Sequence, residues 1–513
     1  MKPSNASVFL LLSLESWIGI LVLVLAIMPS LSIRESLWVD ELHSVWVIAG
    51  DWSEVKDRAA FGNQSPLYFY GLKAWSIVAS VFHSDDFTNE VTLRGSSLLG
   101  WVTLCYLMLK TIRRQLRSTT PFSMIGVIVC WLLLDRIGAF YAIELRPYLW
   151  VSVLSLLVML SAAKLAEQPT RFGYVWLFLS AIAFYFHYTS IIVIMFSWLG
   201  RIAEMGLRWK RIDVRIRTVI IRLRIGELAI LAGLIAPGCW QLKEIFSRSQ
   251  QWASFAGDSS FEAMMRILPW FSLTIIPMVA SLIHARLCQF IQPKIETEGT
   301  YISDPRTALA IQFGTVAVGT LTFVWMLTNL EFAPLVHRRY VMGAYPAIVL
   351  LGAYWLGRIQ SRSTLLLTGF LSTMIMVWCQ GTISEWQDGR YVAWQRQEDW
   401  RDAIAFLNQH RHPDEPIFLA PLLIETTGTT IDPSISTSYL RFPLMSLYKL
   451  DCSDSIHLLP NARSRWVEGI ASVCGEKREK PVWIVARIES FGVETSDFEI
   501  ALDGGRVQVL KLK

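Results

Sequence analysis

Long apolar runs, recurring along most of the chain, constrain this sequence more than any other feature. A bilayer core about 30 Å thick is crossed by roughly 20 helical residues. Hydrophobic residues make up 53% of the 513 residues and charged residues only 17%, which excludes an ordinary soluble enzyme of this size. The sequence therefore predicts a polytopic α-helical membrane protein. Single runs of spanning length lie near 11–33, 94–112, 122–140, 148–166, 226–243, 267–287, 308–328, 341–357 and 364–380.

Two further stretches need separate interpretation. Residues 174–200 are too long for one span and carry His187 near the middle, so we predict two short spans joined at His187 and Tyr188. Residues 66–82 are borderline in length.

Basic loops decide the orientation, because Lys and Arg are enriched in cytoplasmic loops. These loops are 110–117, 164–171, 201–224 and 358–362. All four lie inside only if 66–82 stays in the outer interface or re-enters the membrane. This predicts about eleven spans, further interfacial helices, a cytoplasmic N-terminus and an extracytoplasmic C-terminus in a plasma (inner) membrane. The net charge of +5 thus reports orientation, and we expect no nucleic-acid partner.

The composition changes near residue 381, where charged and Pro-containing sequence replaces the apolar runs. Trp400, Ile404 and Leu407 have helical spacing, and "PIFLAP" and "PVWIVARI" have the pattern of buried strands. We therefore divide the chain into a transmembrane domain, 1–380, and a small soluble extracytoplasmic α/β domain, 381–513.

Cys452 and Cys474 both lie in the predicted soluble domain, whereas the other five cysteines lie in or next to apolar runs. An oxidising compartment permits a disulfide between these two residues. Two unpaired thiols are the alternative.

A set of ionisable and aromatic residues falls on the predicted outer side. Ionisable groups at a membrane edge are costly to keep there and indicate function by default. Solvated helix ends, interfacial anchors and a simple Glu144–Arg146 pair are the structural alternatives. The residues are Asp40, Glu41, Arg94, Glu144, Arg146, His187, Tyr188, His337, Arg338, Arg339 and Tyr340.

Several short motifs follow one another in order between residues 11 and about 358. They are "WVDE", "QSPLYFY", "LRGSSLLG", "ELRPYLW", "HYTS" and "RRYVMGAYPAIVLL". In this order the chain resembles the GT-C superfamily of polyprenyl-phosphate-sugar glycosyltransferases, in particular the group of protein O-mannosyltransferases and the lipid A aminoarabinose transferase. Gln64 and Ser65 depart from the family pattern, so we assign that element no phosphate-binding role.

The resemblance implies an inverting membrane glycosyltransferase, a hexosyl- or pentosyltransferase that moves a sugar from a polyprenyl phosphate to an acceptor at the outer face. Such a displacement needs a carboxylate to take the acceptor proton. The family places its acid where Asp40 stands, so Asp40 is the candidate base. We expect Glu41 to orient a neighbour and Arg94 to pair with the acids and hold them ionised.

The departing polyprenyl phosphate needs positive groups. The family's Arg-Tyr element matches Arg339 and Tyr340, which makes Arg339 the first candidate for phosphate binding, with His337 and Arg338 behind it. The further substrate-binding candidates are Glu144, Arg146, His187 and Tyr188.

No cofactor is expected beyond the donor itself, and the sequence has no clustered Cys and His or phosphate-cradling Gly-rich loop. Whether the reaction needs a metal is open. The expected partners are membrane lipid, a lipid-linked sugar donor and an acceptor that is a glycan, a lipid or a protein. A transporter or flippase of lipid-linked intermediates is the alternative function, although transporters usually place polar groups near the bilayer midplane. A catalytically lapsed, glycan-binding relative is a third.

Overall fold

The structure is a computed structural model, and it describes thirteen segments of the chain. These segments are 35–80, 90–116, 121–164, 169–208, 214–247, 259–291, 305–387, 398–420, 433–451, 456–459, 463–475, 480–488 and 498–512. The predicted first span, 11–33, and Cys452 lie outside the described residues, so that span and the disulfide stay predictions.

The described residues form two compact units. We call those between Gly95 and Ala393 the helical unit, and those within Ser32–Arg94 and Trp394–Lys513 the mixed unit. The predicted domain boundary at residue 380 stays a prediction.

Helices account for most of the described residues. In chain order they are α1 Val39–Ala49, α2 Val55–Phe61, α3 Pro66–Ser80, α4 Glu90–Gln115, α5 Pro121–Leu134, α6 Arg136–Ala142, α7 Tyr148–Lys164, α8 Pro169–Phe186, α9 Ser190–Arg208, α10 Val214–Ser247, α11 Phe261–Arg266, α12 Ile276–Ile291, α13 Pro305–Asn329, α14 Arg338–Val341, α15 Tyr345–Leu356, α16 Arg362–Cys379, α17 Thr382–Gln387, α18 Trp400–His410, α19 Pro433–Phe442 and α20 Trp466–Cys474.

Six of the described helices are long and apolar enough to cross a membrane, or up to seven spans if the bent pair α5 and α6 counts as one. These helices identify an integral membrane protein. The predicted count of about eleven spans is not confirmed. The six lie at Glu90–Gln115, Ser190–Leu207, Ile221–Lys243, Phe271–Phe290, Arg306–Asn329 and Arg362–Cys379.

The predicted break inside 174–200 is confirmed, because α8 ends at Phe186 and α9 begins at Ser190. Helix α3, within the borderline stretch 66–82, has 15 residues and rises only about 22 Å, so it is too short to span unaided.

Two predicted spans are interrupted. The stretch 122–140 bends by 62° between α5 and α6, because the Asp135 carboxylate accepts hydrogen bonds from the N–H groups of Ile137 and Gly138 and starts a new helix. The stretch 341–357 contains the end of α14, a 3-10 turn at Met342–Ala344 and the 12-residue α15, which has Pro346 in its first turn.

Close helix packing forms the core of the helical unit. Helix α9 lies along α13, and a Cβ added to Gly319 of α13 would overlap the Phe196 ring of α9. Such an approach requires a residue without a side chain.

A five-stranded sheet organises the mixed unit, in the order β2-β1-β3-β5-β4. Strand β1 pairs in parallel with β2 and β3, whereas β5 pairs antiparallel with β3 and β4. The strands are β1 Ile417–Ala420, β2 His457–Leu458, β3 Trp483–Arg487, β4 Phe498–Gly504 and β5 Val507–Leu512.

The local predictions for this region are confirmed. "PIFLAP" contains β1 and "PVWIVARI" contains β3, and every residue of both strands is buried. Trp400, Ile404 and Leu407 form the buried face of α18. The extracytoplasmic position of this region stays a prediction.

Candidate active site

The acidic pair Asp40 and Glu41 stands in the first turn of α1. Carboxylates are favourable there, because the N-terminal end of a helix carries partial positive charge and unsatisfied N–H groups. The two acids differ in their surroundings, since the Glu41 side chain is completely buried and Asp40 is half-buried. Asp40 is therefore the acid that solvent reaches.

Glu41 forms a two-point ion pair with Arg94, which is also completely buried. Arg94 Nε donates to Glu41 Oε1 at 3.0 Å, and Nη2 donates to Oε2 at 2.6 Å. The guanidinium also donates to the carbonyl oxygens of Glu35 (2.6 Å) and Ser36 (3.3 Å). Arg94 thus holds Glu41 and the chain leading to it, and the catalytic roles predicted for Glu41 and Arg94 stay predictions.

A third acid, Glu90, lies one helical turn before Arg94. Its carboxylate accepts hydrogen bonds from Tyr448 Oη at 3.1 Å and from Arg401 Nη1 at 2.9 Å. Burial raises the pKa of Tyr448, with the nearby Glu90 charge acting in the same direction, so the phenol stays protonated. Glu90 was not among the site residues predicted from the sequence, although its i, i+4 spacing to Arg94 was a usable signal.

The motifs "ELRPY", "HYTS" and "RRY" meet in the helical unit. We call Arg146, Tyr148, His187, Arg339 and Tyr340 the cationic cluster. The Tyr148 and His187 rings lie 5.6 Å apart between centroids, and the His187 and Tyr340 rings 6.4 Å apart. Arg146 Cζ lies 6.0 Å from the Tyr148 centroid, and Arg339 Cζ lies 4.9 Å from that of Tyr340. Two guanidinium groups thus flank a row of three rings.

His187 is the centre of this row and lies between α8 and α9. Its pKa is lowered to about 3 by burial, with the positive charges of Arg146 and Arg339 acting in the same direction. The imidazole is therefore neutral near pH 7, and its Nδ1 lies 2.7 Å from the Thr189 hydroxyl. A neutral ring between two guanidiniums marks a site of positive potential, which suits an anionic ligand.

The "HRRY" segment places its residues unequally. His337 and Arg338 are exposed, and Arg339 and Tyr340 are half-buried. His337 Nδ1 accepts a hydrogen bond from the Arg339 N–H at 3.3 Å and begins α14. The His337 ring lies 6.2 Å from the Tyr340 centroid on the exposed side, whereas the half-buried Arg339 lies against the Tyr340 ring itself.

Two predicted site residues have evident packing roles. Tyr188 is buried against Phe184 and donates a hydrogen bond to Gln241 Oε1 at 2.6 Å. Glu144 is 3% exposed, and its carbonyl oxygen accepts from Ser97 Oγ at 2.5 Å and from the Arg146 N–H at 2.7 Å. These bonds fix the turn that carries Arg146. The proposed substrate contacts of both residues stay predictions.

Small residues allow close packing of the segment that follows Tyr340 in the cationic cluster. Ser152 Oγ of α7 donates to the Met342 carbonyl oxygen at 2.8 Å. A Cβ added to Gly343 would lie 2.9 Å from both Ser155 Oγ and Val193 Cγ2. The segment after Tyr340 therefore packs directly on α7 and α9. Helix α7 begins with Tyr148, and α9 begins shortly after His187.

A polar network at the bend between α5 and α6 was likewise not predicted from the sequence. Asp135 is completely buried, and Gln380 Nε2 donates to its Oδ1 at 2.6 Å. Arg136 donates to the Gln380 carbonyl oxygen and to Glu385 Oε1, each at 2.9 Å. Adjacent Asp and Arg inside an apolar run were the signal available in the sequence.

Metal binding finds no geometric support in the described part of the chain, where no group of three or more His, Cys, Asp or Glu could hold an ion.

Two solved crystal structures align with nearly the whole of this chain. No protein-family model matches the sequence, and no curated protein sequence matches it. The apo crystal structure of ArnT from Cupriavidus metallidurans aligns over 99% of this chain and 98% of that chain, at 12% identity and a TM-score of 0.38. The crystal structure of the same protein bound to undecaprenyl phosphate aligns over 100% of this chain and 98% of that chain, at 12% identity and a TM-score of 0.34.

Proposed function

We propose that this protein is an integral membrane glycosyltransferase that moves a sugar from a polyprenyl-phosphate donor to an acceptor at the outer face of the membrane. The motifs that resemble GT-C enzymes motivate the reaction class. The observation that carries the proposal is the convergence of Arg146, His187 and Arg339, from three separate motifs, into one cationic cluster.

The cationic cluster binds the donor phosphate in this proposal. Arg presents several N–H donors in a fixed plane, which suits a phosphate better than a single ammonium does. Arg339 and Arg146 supply the charge, and neutral His187 supplies a further hydrogen-bonding group. The same groups stabilise the phosphate as it leaves, because negative charge on it increases when the bond to the sugar breaks.

Asp40 acts as the general base. Its carboxylate takes the proton of the acceptor hydroxyl while the acceptor oxygen forms a bond to the anomeric carbon. The bond between that carbon and the phosphate oxygen breaks, and polyprenyl phosphate departs with the electron pair. Attack opposite the leaving group inverts the anomeric carbon. Glu41 stays in its ion pair with Arg94 and orients the helix turn.

The test uses full-length protein in nanodiscs, with a panel of polyprenyl-phosphate sugars built on undecaprenyl phosphate and on shorter polyprenols. Wild type and Asp40→Asn are compared for donor binding and for sugar transfer or release. We expect wild type to turn over at least one donor, and Asp40→Asn to bind that donor without turnover. Arg339→Ala should weaken donor binding.

Other results would redirect the assignment. Full turnover by Asp40→Asn would remove Asp40 as the base. Binding of every donor by wild type without any sugar release would favour the transporter or flippase alternative, which a liposome flipping assay then measures directly.

A further inference from the structure

The chain leading to Asp40 is held by side chains from distant parts of the sequence. Residues 36–38 have no regular secondary structure, so their backbone groups need partners other than a helix or a strand. Within the mixed unit, the Leu37 N–H donates to Tyr448 Oη at 3.0 Å, and the Val39 N–H donates to Glu398 Oε2 at 2.9 Å. The Val39 carbonyl oxygen accepts from Tyr439 Oη at 3.4 Å.

Glu398 is the charged residue among these partners. Its side chain is completely buried, and its two carboxylate oxygens accept hydrogen bonds from different partners. Oε1 accepts from Arg487 Nε at 2.8 Å. Oε2 accepts from the Val39 N–H and from Trp400 Nε1 at 3.3 Å. A buried carboxylate with this number of donors is fixed in one orientation.

The sheet holds Glu398 in turn. Arg487 is the last residue of β3, and the Glu398 backbone forms an isolated bridge with Gly505, between β4 and β5. A continuous chain of contacts therefore runs from the sheet through Arg487 and Glu398 to the amide of Val39. Val39 is bonded directly to Asp40 along the backbone.

We propose that Glu398 is a positioning residue for Asp40, and that the sheet of the mixed unit fixes the catalytic carboxylate through the Arg487–Glu398–Val39 contacts. This inference rests on the proposed role of Asp40 as base. The Val39 N–H is one of the N-terminal helix donors that have no partner within α1, so the Glu398 carboxylate satisfies it and adds favourable charge at the start of the helix. Without Glu398, the first turn of α1 loses the hydrogen bond that holds the Val39 N–H.

Enzyme rates are sensitive to such losses. A mutation remote from the chemistry that displaces a reacting group by about 1 Å can lower the rate on the order of 10²-fold. Glu398→Ala should therefore lower kcat by about 10- to 100-fold. The donor KM should change by less than about threefold, because the residue acts on the base and not on the phosphate. Glu398→Gln keeps an oxygen that accepts from Val39, and should retain more activity than Glu398→Ala.

Glu415 provides a matched control in the same unit. Its carboxylate also accepts one backbone N–H, from His412 at 3.1 Å, and one indole N–H, from Trp483 at 2.7 Å. Glu415→Ala removes a backbone and an indole hydrogen bond from a half-buried carboxylate that does not hold Val39. We expect Glu415→Ala to keep wild-type kcat.

The experiment measures kcat, donor KM and amide hydrogen exchange of peptides covering 35–48 in full-length wild type, Glu398→Ala, Glu398→Gln, Glu415→Ala and Asp40→Asn. Faster exchange of that peptide in Glu398→Ala than in Glu415→Ala, together with the selective fall in kcat, supports the inference. Unchanged exchange, or equal loss of activity in Glu398→Ala and Glu415→Ala, overturns it.

Failure of the inference and failure of the proposed function give different results. If Asp40→Asn abolishes turnover while both Glu398 variants match wild type, the positioning inference falls and the base assignment stands. If Asp40→Asn keeps full turnover, the base assignment falls, and the inference that depends on it falls as well. The exchange data then report only on the contact with Val39.

Discussion

Arg94 Nη2 lies 2.6 Å from Glu41 Oε2, and neither side chain is exposed to solvent. Burying two charges is costly, and the ion pair offsets this cost only while both partners are present. The pair therefore explains why the two adjacent acids at the start of α1 differ in their surroundings: Glu41 is held in the interior, and Asp40 is half-buried.

Removing one partner of this pair should destabilise the protein strongly. We expect Arg94→Met to lower the free energy of unfolding by about 3–5 kcal/mol, because Glu41 is left as an unpaired buried charge. The double variant Glu41→Leu, Arg94→Met should lose less than the sum of the single variants. Denaturant titration in nanodiscs measures all three.

An exposed ion pair gives the control for this comparison of single and double variants. Arg266 and Glu262 form an ion pair at 2.5 Å with side chains 75% and 69% exposed. Arg266→Met should cost no more than about 1 kcal/mol. Similar losses for the buried and the exposed pair would contradict the interpretation.

The planar guanidinium of Arg339 should matter beyond its charge. We expect Arg339→Lys to weaken binding of a polyprenyl-phosphate donor by about 10- to 100-fold, since Lys keeps the charge but loses the parallel N–H donors. Binding is measured by titration in nanodiscs. The control is Arg362→Lys at the exposed start of α16, which should bind the donor as wild type does. Equal binding by Arg339→Lys and wild type would remove Arg339 from the phosphate site.

His187 should contribute a pH dependence to stability. Its pKa is lowered to about 3 in the folded protein, mainly by burial and further by Arg146 and Arg339, whereas an unfolded His titrates near pH 6.5. Between these values the unfolded state binds more protons, so the free energy of unfolding falls as the pH is lowered from about 6.5 towards 3. Above pH 7 this contribution does not change.

Thermal unfolding of wild type and His187→Gln at pH 7.5 and pH 5 tests this expectation. The melting temperature of wild type should fall more between the two pH values than that of His187→Gln, which lacks the titrating ring. Equal falls in the two proteins would show that His187 does not contribute in this range.

Close packing at Gly343 should couple protein stability to donor binding. A Cβ there would lie 2.9 Å from Val193 Cγ2, and a β-branched side chain has little freedom to move away. We expect Gly343→Ala to cost about 1–3 kcal/mol of stability and to weaken donor binding by displacing Arg339 and Tyr340. Denaturant and donor titrations measure the two effects.

A second substitution and a control separate the causes. Val193→Ala removes the clashing methyl group, so the double variant Gly343→Ala, Val193→Ala should recover part of the donor binding. Gly126→Ala adds a methyl where no heavy atom lies within 4 Å, and should leave both properties near wild type. Lack of recovery in the double variant would argue against this packing mechanism.

The sequence determined features that depend on neighbouring residues. Apolar length marked the helices able to span a membrane, and the excess length of 174–200 with His187 at its middle placed the break between α8 and α9. Continuous apolar runs located β1 and β3, and helical spacing located the buried face of α18. In each case the signal is a periodicity or length that backbone geometry imposes locally.

The tertiary structure alone decided which distant residues meet. Periodicity does not tell which helix packs on which, so the contacts of His187 with Tyr148 and Tyr340 followed only from the packing of the helical unit. The partnership of Glu398 with Val39 joins positions 359 residues apart and could not be read from either local sequence. The bend at Asp135 likewise arose because side-chain hydrogen bonds, supported by Gln380, outweighed the apolar run around them. Hydrogen bonds and close packing in the folded chain select among the pairings that a local sequence leaves open.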